Sequence, residues 1–276
     1  VRTVRKESDM KRITSARCIN CIPEVVPKKR SNNKKLKLLI TNKRIDWGFK
    51  QSILMIQSRL QQIMRRTGDK VLLITSTIPA EGKTMTSVNM ALAFAQEGMK
   101  VALLDGDLRK PSVSELMKLP EGPGLTEYFR GESTPEEIQI VKDGVTFFRA
   151  GQKKGKVSGL IDEEKMNSLL EKLRKEYDVI LMDAAPSYVF SDAMILSSYA
   201  DKVLYVVRVD KADAKEIRVG MNSFEEKEKL IGYVINRDTG GYISQSGYGY
   251  GRYGKYQKYR KYAELDEETM NTEDTL

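Results

Sequence analysis

The sequence predicts an α/β fold, a mostly parallel sheet with helices on both faces. Three observations predict it. Short apolar runs alternate with stretches of helical periodicity, the pattern of buried parallel strands joined by crossover helices. A Gly-Lys-Thr turn stands between the first core run and a helix, and two later runs each end on aspartate, at the strand ends where such sheets bind ligands.

In chain order, residues 1–45 read as a basic linker, with Pro23 and Pro27 bracketing a short apolar run. From Asp46 to Arg66, Phe49, Ile53, Ile56, Leu60 and Ile63 recur at the spacing of one helical face. Val71–Thr75 predicts a buried strand, and residues 76–84 a loop. The next helix carries Val88, Leu92 and Ala95 and stops at Gly98, a residue suited to the left-handed position after a helix. Val101–Leu104 predicts a second strand, and Phe147 with Phe148 a third. A helix lined by Met166, Leu169, Leu170 and Leu173 delivers the chain to Val179–Met182. Val203–Val207 and Tyr233–Ile235 complete the sheet. The domain thus spans 46–239, and 240–276 reads as a disordered tail, Gly/Tyr/Lys/Arg-rich to 262 and acidic beyond it.

Ser76-Thr-Ile-Pro-Ala-Glu-Gly-Lys-Thr84 sits between strand and helix, the context a Walker A loop requires. Gly82 lets backbone N–H groups approach phosphate oxygens, and the helix N-terminus adds positive dipole. Lys83 suits the β- and γ-phosphates, and the Thr84 hydroxyl suits Mg²⁺. Ala80, Glu81, Gly82, Lys83, Thr84 and Met85 form the candidate ATP-binding set of a P-loop NTPase. Thr77 occupies the position of the pattern's first glycine. Two acidic motifs follow: Leu103-Leu-Asp-Gly-Asp-Leu-Arg-Lys-Pro111, and Val179-Ile-Leu-Met-Asp-Ala-Ala-Pro186, which reads as Walker B. Asp105, Asp107 and Asp183 are expected to converge on metal and γ-phosphate, because phosphoryl transfer needs neutralised oxygens, a held metal and an oriented nucleophile.

The 276 residues carry a net charge of +9, unevenly placed: residues 1–70 hold 19 Lys/Arg against 5 Asp/Glu. That asymmetry predicts an anionic neighbour, nucleic acid or the inner face of a membrane. No apolar run approaches the roughly 20 residues that span a bilayer, and no apolar stretch of a signal peptide follows the basic start. Cys18 and Cys21 form a lone C-x-x-C in a chain without histidine, so an idle or buried thiol pair in a reducing cytosol is expected rather than zinc. Seven tyrosines lie in the tail: Tyr242, Tyr248, Tyr250, Tyr253, Tyr256, Tyr259 and Tyr262. Interleaved with Arg252, Lys255, Lys258, Arg260 and Lys261, they suit phosphoacceptors, a stacking arm for single-stranded nucleic acid, or a merely soluble tract.

Together these motifs resemble the bacterial tyrosine kinases (BY-kinases) that regulate capsule and exopolysaccharide production. Asp105-Gly-Asp107-Leu-Arg109 matches that family's Walker A′, D-x-D-x-R, and Gly124–Gly131, Ser191–Ala193 and Gly232–Arg237 are similar to it as well. The resemblance spans residues 46–262. It implies Asp105 as base for the acceptor hydroxyl, Asp107 and Asp183 as organisers of Mg²⁺, and a metal set that includes Thr84, Asp105 and Asp183. Lys83 and Arg109 join the catalytic shell, Asn236 meets the adenine, and the tail tyrosines are the acceptors. The basic segment 1–45 is similar to the juxtamembrane stretch of single-chain members, which implies a transmembrane polysaccharide co-polymerase domain as partner, a place at the cytoplasmic side of the cell membrane, self-phosphorylation in trans, and no nucleic-acid partner. Trp47, Lys50 and Ile53 stand where the family carries the E-x-x-R-x-x-R associated with ring assembly, and Gly155–Gly159 replaces its N-P-x-E-L stretch, so the resemblance does not carry the ring to this chain. Competing readings are a P-loop ATPase switch of the cell-division or chromosome-partitioning kind, whose early loop lysine is Ile78 here, and a kinase-like scaffold without chemistry.

Overall fold

Aliphatic runs too short for helices, bounded by Gly, Asp or Pro, pair side by side in the computed structural model, which describes residues 3–25, 38–152 and 159–239. The chain begins with α1 (Glu7–Met10), β1 (Cys18–Pro23), α2 (Trp47–Thr67) and β2 (Val71–Ser76). It continues through α3 (Lys83–Gln96), β3 (Val101–Asp105), α4 (Val113–Met117) and α5 (Leu125–Arg130). The hairpin β4 (Gln139–Lys142) and β5 (Val145–Phe148) precedes α6 (Glu163–Glu176), β6 (Val179–Asp183) and α7 (Asp192–Tyr199). β7 (Lys202–Arg208), α8 (Ala214–Glu226) and β8 (Leu230–Asp238) complete the described elements.

The eight strands form one sheet in the order β1-β8-β7-β2-β6-β3-β5-β4, parallel except for β4 against β5. Alternate residues face opposite layers. Leu72, Ile74, Leu204 and Val206 join Phe49, Ile53, Ile56 and Leu60 of α2 and Val88 and Leu92 of α3 in one core cluster. Tyr205, one position out of phase, meets Phe224 of α8 on the other face, ring centroids 6.3 Å apart. The α2 boundaries follow from local chemistry: Asp46 accepts from the N–H of Phe49 at 3.2 Å, and Gly68 closes the helix at φ 77°. Gly98 takes the same left-handed role after α3, as the sequence predicts.

The linker reading of 1–45 is corrected over its described part. Cys18–Pro23 is an edge strand, parallel to β8, and Thr3 bridges Asp213. Ile19 and Ile22 are buried in the core cluster under α2, and the Arg59 guanidinium donates to the Ile19 carbonyl. The surrounding cations belong to segments outside this strand; six residues with two isoleucines suffice to bury one face. Ile22→Ala is therefore expected to cost about 2–5 kcal/mol in urea denaturation, whereas a loosely attached arm would leave stability within about 0.5 kcal/mol.

Cys21 is buried and Cys18 half-buried, both free thiols. A hydrogen bond with Cys18, then burial, pushes the Cys21 thiol up, which disfavours the nucleophilic thiolate. Ile53, in the ring-motif position, is fully buried on the inner face of α2. Thr239–Leu276 is a separate unit. From Gly240 on, the tail with its seven tyrosines lies outside the described residues, as does the replaced stretch up to Ser158. No helix among the described residues is long and apolar enough to cross a membrane.

Candidate active site

The sheet order puts β2, β6 and β3 side by side, so the loop after β2 and the aspartates ending β6 and β3 meet at one edge. Asp183 pairs in register with Ile74 and with Asp105. Gly106 follows directly; a Cβ there would stand 3.0 Å from the Asp183 carbonyl oxygen, so the D-G-D turn needs its glycine to lie against β6. In the loop, Ala80 (φ 69°) and Gly82 (φ 98°) are left-handed. Gly82 is also the N-cap of α3, and a Cβ on it would collide with the Asn236 side-chain amide. Glycine is required there twice over.

Lys83 stands at the centre. Its Nζ lies 2.7 Å from Asp107 Oδ2 and 3.5 Å from Asp183 Oδ2, and donates to Thr84 Oγ1 at 3.3 Å. Thr84 Oγ1 donates to Asp183 Oδ2 at 2.6 Å, and Ser87 Oγ to Asp183 Oδ1 at 2.9 Å. Asp105 is fully buried: Oδ2 accepts from the N–H of Val113 at 3.2 Å, while Oδ1 has no hydrogen-bond partner. Burial pushes the Asp105 carboxyl well up and Asp183 reinforces it. Burial likewise raises Asp183, against the pull of Lys83, Thr84 and Ser87. Burial would lower the Lys83 ammonium, but Asp183 and Asp107 outweigh it and hold it above its ordinary value. Three buried carboxylates share one ammonium. The orphaned Asp105 oxygen, the Asp183 carboxyl and the Thr84 hydroxyl beside it are hard oxygen donors of the kind Mg²⁺ takes, although the described residues hold no ready-made cluster of three or more acidic ligands.

Above them opens a cavity of about 690 Å³, walled by the loop and first turn of α3 (Pro79, Ala80, Gly82–Met85) and by Asp107, Arg109, Lys110, Ser112, Pro186 and Phe190. Its size and the α3 N-terminus suit a nucleoside phosphate. Arg109 stacks 4.6 Å from the Phe190 ring centroid and pairs with Asp192 at 2.6 Å, a hydrogen bond that raises the guanidinium further.

The structure thus gathers Ala80, Gly82, Lys83, Thr84, Met85, Asp105, Asp107, Arg109 and Asp183 at one strand edge. Asp107 lies on the cavity wall; Asp105 and Asp183 lie deeper. The side chains of two residues expected at the ligand bond to the backbone of the loop and of β8. The Glu81 carboxylate turns inward to the N–H groups of Thr77 and Ile78. The Asn236 amide donates to the Glu81 carbonyl at 2.7 Å, and its oxygen accepts from the N–H of Arg237. Ser87 and Phe190 join the candidate site without having been singled out in the sequence, and Asp192, within the family-like Ser191–Ala193 stretch, gains its partner Arg109 there. Ser87 was legible, one helical turn beyond Lys83; Asp192 and Phe190 are joined to Arg109 only by the fold.

A family model described as ParA, NUBPL iron-transfer P-loop NTPase, matches residues 68–213, more than half of the chain. The tyrosine-protein kinase CpsD of Streptococcus pneumoniae is 33% identical over 184 residues, 62% of this chain and 78% of that protein. The chain spans about a quarter of the length of longer relatives such as the tyrosine-protein kinase ptk of Acinetobacter johnsonii, 27% identical over 198 residues, which are 70% of this chain and 27% of that protein. The solved kinase domain of the Escherichia coli tyrosine kinase ETK superposes with a TM-score of 0.76 at 25% identity, over 84% of this chain and 94% of that domain. With its Walker A, Walker A′ and Walker B residues assembled at one edge of a ParA-like sheet, the chain belongs to the bacterial tyrosine-kinase (BY-kinase) family of P-loop NTPases.

Proposed function

We propose that this chain is an ATP-dependent protein-tyrosine kinase that phosphorylates the tyrosines of its own C-terminal tail. The observation that carries the reading is one buried ammonium, Lys83, set among Asp105, Asp107 and Asp183 beside a phosphate loop. That arrangement is poised to exchange carboxylate partners for phosphate oxygens. Mg·ATP would supply the phosphoryl group and the cation that neutralises its oxygens. Lys83 would then counter charge on the phosphates, and Thr84, Asp107 and Asp183 would hold the metal. Asp105, its carboxyl already pushed well up, suits a group that takes the acceptor's phenolic proton at neutral pH. Asp105 is fully buried, so it would have to be uncovered before an acceptor could reach it. Arg109, fixed by Asp192 and Phe190 on the cavity wall, would orient the incoming tyrosine or the phosphate.

In the cell the chain would act at the cytoplasmic membrane face with a transmembrane co-polymerase domain and regulate capsule or exopolysaccharide production. The basic stretch within residues 1–70 supports that placement. Each phosphotyrosine adds roughly −1.5 to −2 charge, so the basic tyrosine stretch up to residue 262 would enter a neighbour's site and leave it by repulsion once modified.

Incubation with Mg·ATP followed by mass spectrometry of the tail tests the reading: phosphate on several of Tyr242–Tyr262 is expected. ADP without phosphotyrosine would make the chain an ATPase switch, and neither product would make it a scaffold. A kinase-dead chain mixed with a tail-less active one separates trans from cis: labelling of the dead chain's tail is expected, and its absence removes the trans step.

A further inference from the structure

A carboxylate inside an anion-binding loop is electrostatically unwelcome, yet Glu81 sits in this one fully buried. Its Oε2 accepts from the N–H groups of Thr77 (2.7 Å) and Ile78 (2.8 Å), at the start of the loop. Its Oε1 accepts from the N–H of Arg208 (3.2 Å), at the end of β7. The main chain at the same point is held from outside. The Arg208 guanidinium donates to the Ala80 carbonyl at 2.9 Å, and Asn236 donates to the carbonyl of Glu81 itself. Thr77, standing where the loop pattern has its first glycine, donates its N–H to Glu81 and takes a hydrogen bond on its hydroxyl from buried Tyr205 at 3.2 Å.

We propose that Glu81 is a positioning residue for nucleotide binding: its carboxylate gathers the opening of the phosphate loop from within and ties it to the tip of β7. The N–H groups of Thr77 and Ile78 are thereby committed to the protein. The phosphates are left to the second half of the loop, from Gly82 into the first turn of α3. The brace also fixes the left-handed turn at Ala80, which a non-glycine residue adopts only when its surroundings hold it there. Glu81 thus acts through the loop and does not touch the ligand.

The proposal rests on the loop's holding a nucleotide, not on tyrosine as the acceptor, so the test measures binding of Mg·ADP to the full chain by calorimetry. Glu81→Gln keeps one oxygen for Thr77 and Ile78 but turns an NH₂ toward the Arg208 N–H. Glu81→Met keeps the volume and no acceptor. A loop freed of its brace must be re-ordered when the nucleotide binds, so affinity is expected to fall about 10-fold on loss of one bond and about 100-fold or more on loss of all three. Affinity is therefore expected to fall in the order wild type, Gln, Met, while the nucleotide-free thermal midpoint of Glu81→Gln at pH 8 holds, because burial opposes ionisation of this carboxyl. The guanidinium of Arg208 and the Tyr205 phenol, reached through Thr77, are the titratable groups facing it, and both variants keep them. A Glu81→Met protein that binds Mg·ADP like wild type would overturn the brace. So would affinity and apo stability falling together in Glu81→Gln, the mark of a folding residue only. Wild type that binds no Mg·ADP would overturn this proposal and the nucleotide-binding reading together, whereas binding without tail phosphorylation would remove only the kinase reading.

Discussion

Lys83→Met is expected to lower tail phosphorylation by at least about 10²–10³-fold, the cost of removing a preorganised charge from the transferring group. Mass spectrometry of the tail beside wild type reads this directly. The same change should also weaken the protein without metal. Lys83 is the ammonium that partners Asp107 at 2.7 Å and Asp183 at 3.5 Å, and its loss leaves buried carboxylates uncompensated, a cost of about 3–5 kcal/mol. The sign with pH is fixed. Asp105 and Asp183 have carboxyls raised above their ordinary values, so their contribution to stability is full below the unfolded value and is lost as pH rises through the folded one. Without the ammonium that loss deepens, and the deficit of Lys83→Met in urea should grow from pH 5 to pH 8 in EDTA. Added Mg²⁺ should restore part of it. Undiminished labelling would place the chemistry elsewhere; a pH-independent deficit would mean the carboxylates are not the source.

The elements that sequence reading located are those with continuous apolar strands or strong helical period, which bury both faces or one clean stripe whatever they pack against. β2, β3, β6 and β7 are of this kind, and their order makes the loop and the aspartates neighbours. What stayed hidden depends on partners distant in the chain. β1 is six residues inside a cationic segment, and only β8, more than 200 residues on, gives its isoleucines a sheet to join. α8 is different: Ile217, Gly220, Met221 and Phe224 are spaced as one buried face, and Asp213 with Glu216 forms a capping box, so its signal was present in the sequence. In the site, motif spacing located Lys83, Thr84, Asp105, Asp107 and Asp183, which the fold brings together. That spacing could not show that the Glu81 and Asn236 side chains turn to the loop's own backbone, because the direction of a side chain depends on the φ of Ala80 and Gly82 and on the tips of β7 and β8.

Asp183→Asn separates catalysis from stability in the opposite sense to Lys83→Met. Asparagine is nearly isosteric, and the Thr84 and Ser87 hydroxyls that donate to the carboxylate can turn to pair with its amide. The packing of β6 between β2 and β3 is untouched. Removed is one negative charge from the proposed ion-binding cluster, and on that reading the metal's hold with it, so tail phosphorylation should fall by about 10²-fold or more. Since burial raises the Asp183 carboxyl, its ionisation opposes folding increasingly as pH rises, and the variant lacks that penalty. In EDTA at pH 8, Asp183→Asn should therefore be at least as stable as wild type in urea, with any advantage shrinking toward pH 5. Mg²⁺ should stabilise wild type and leave the variant nearly unchanged, because only an intact cluster binds the ion in the folded state alone. A variant that keeps wild-type activity, or that loses stability at pH 8 while Mg²⁺ still stabilises it, would show that Asp183 is a structural strand end and that the metal, if held, is held by the other carboxylates.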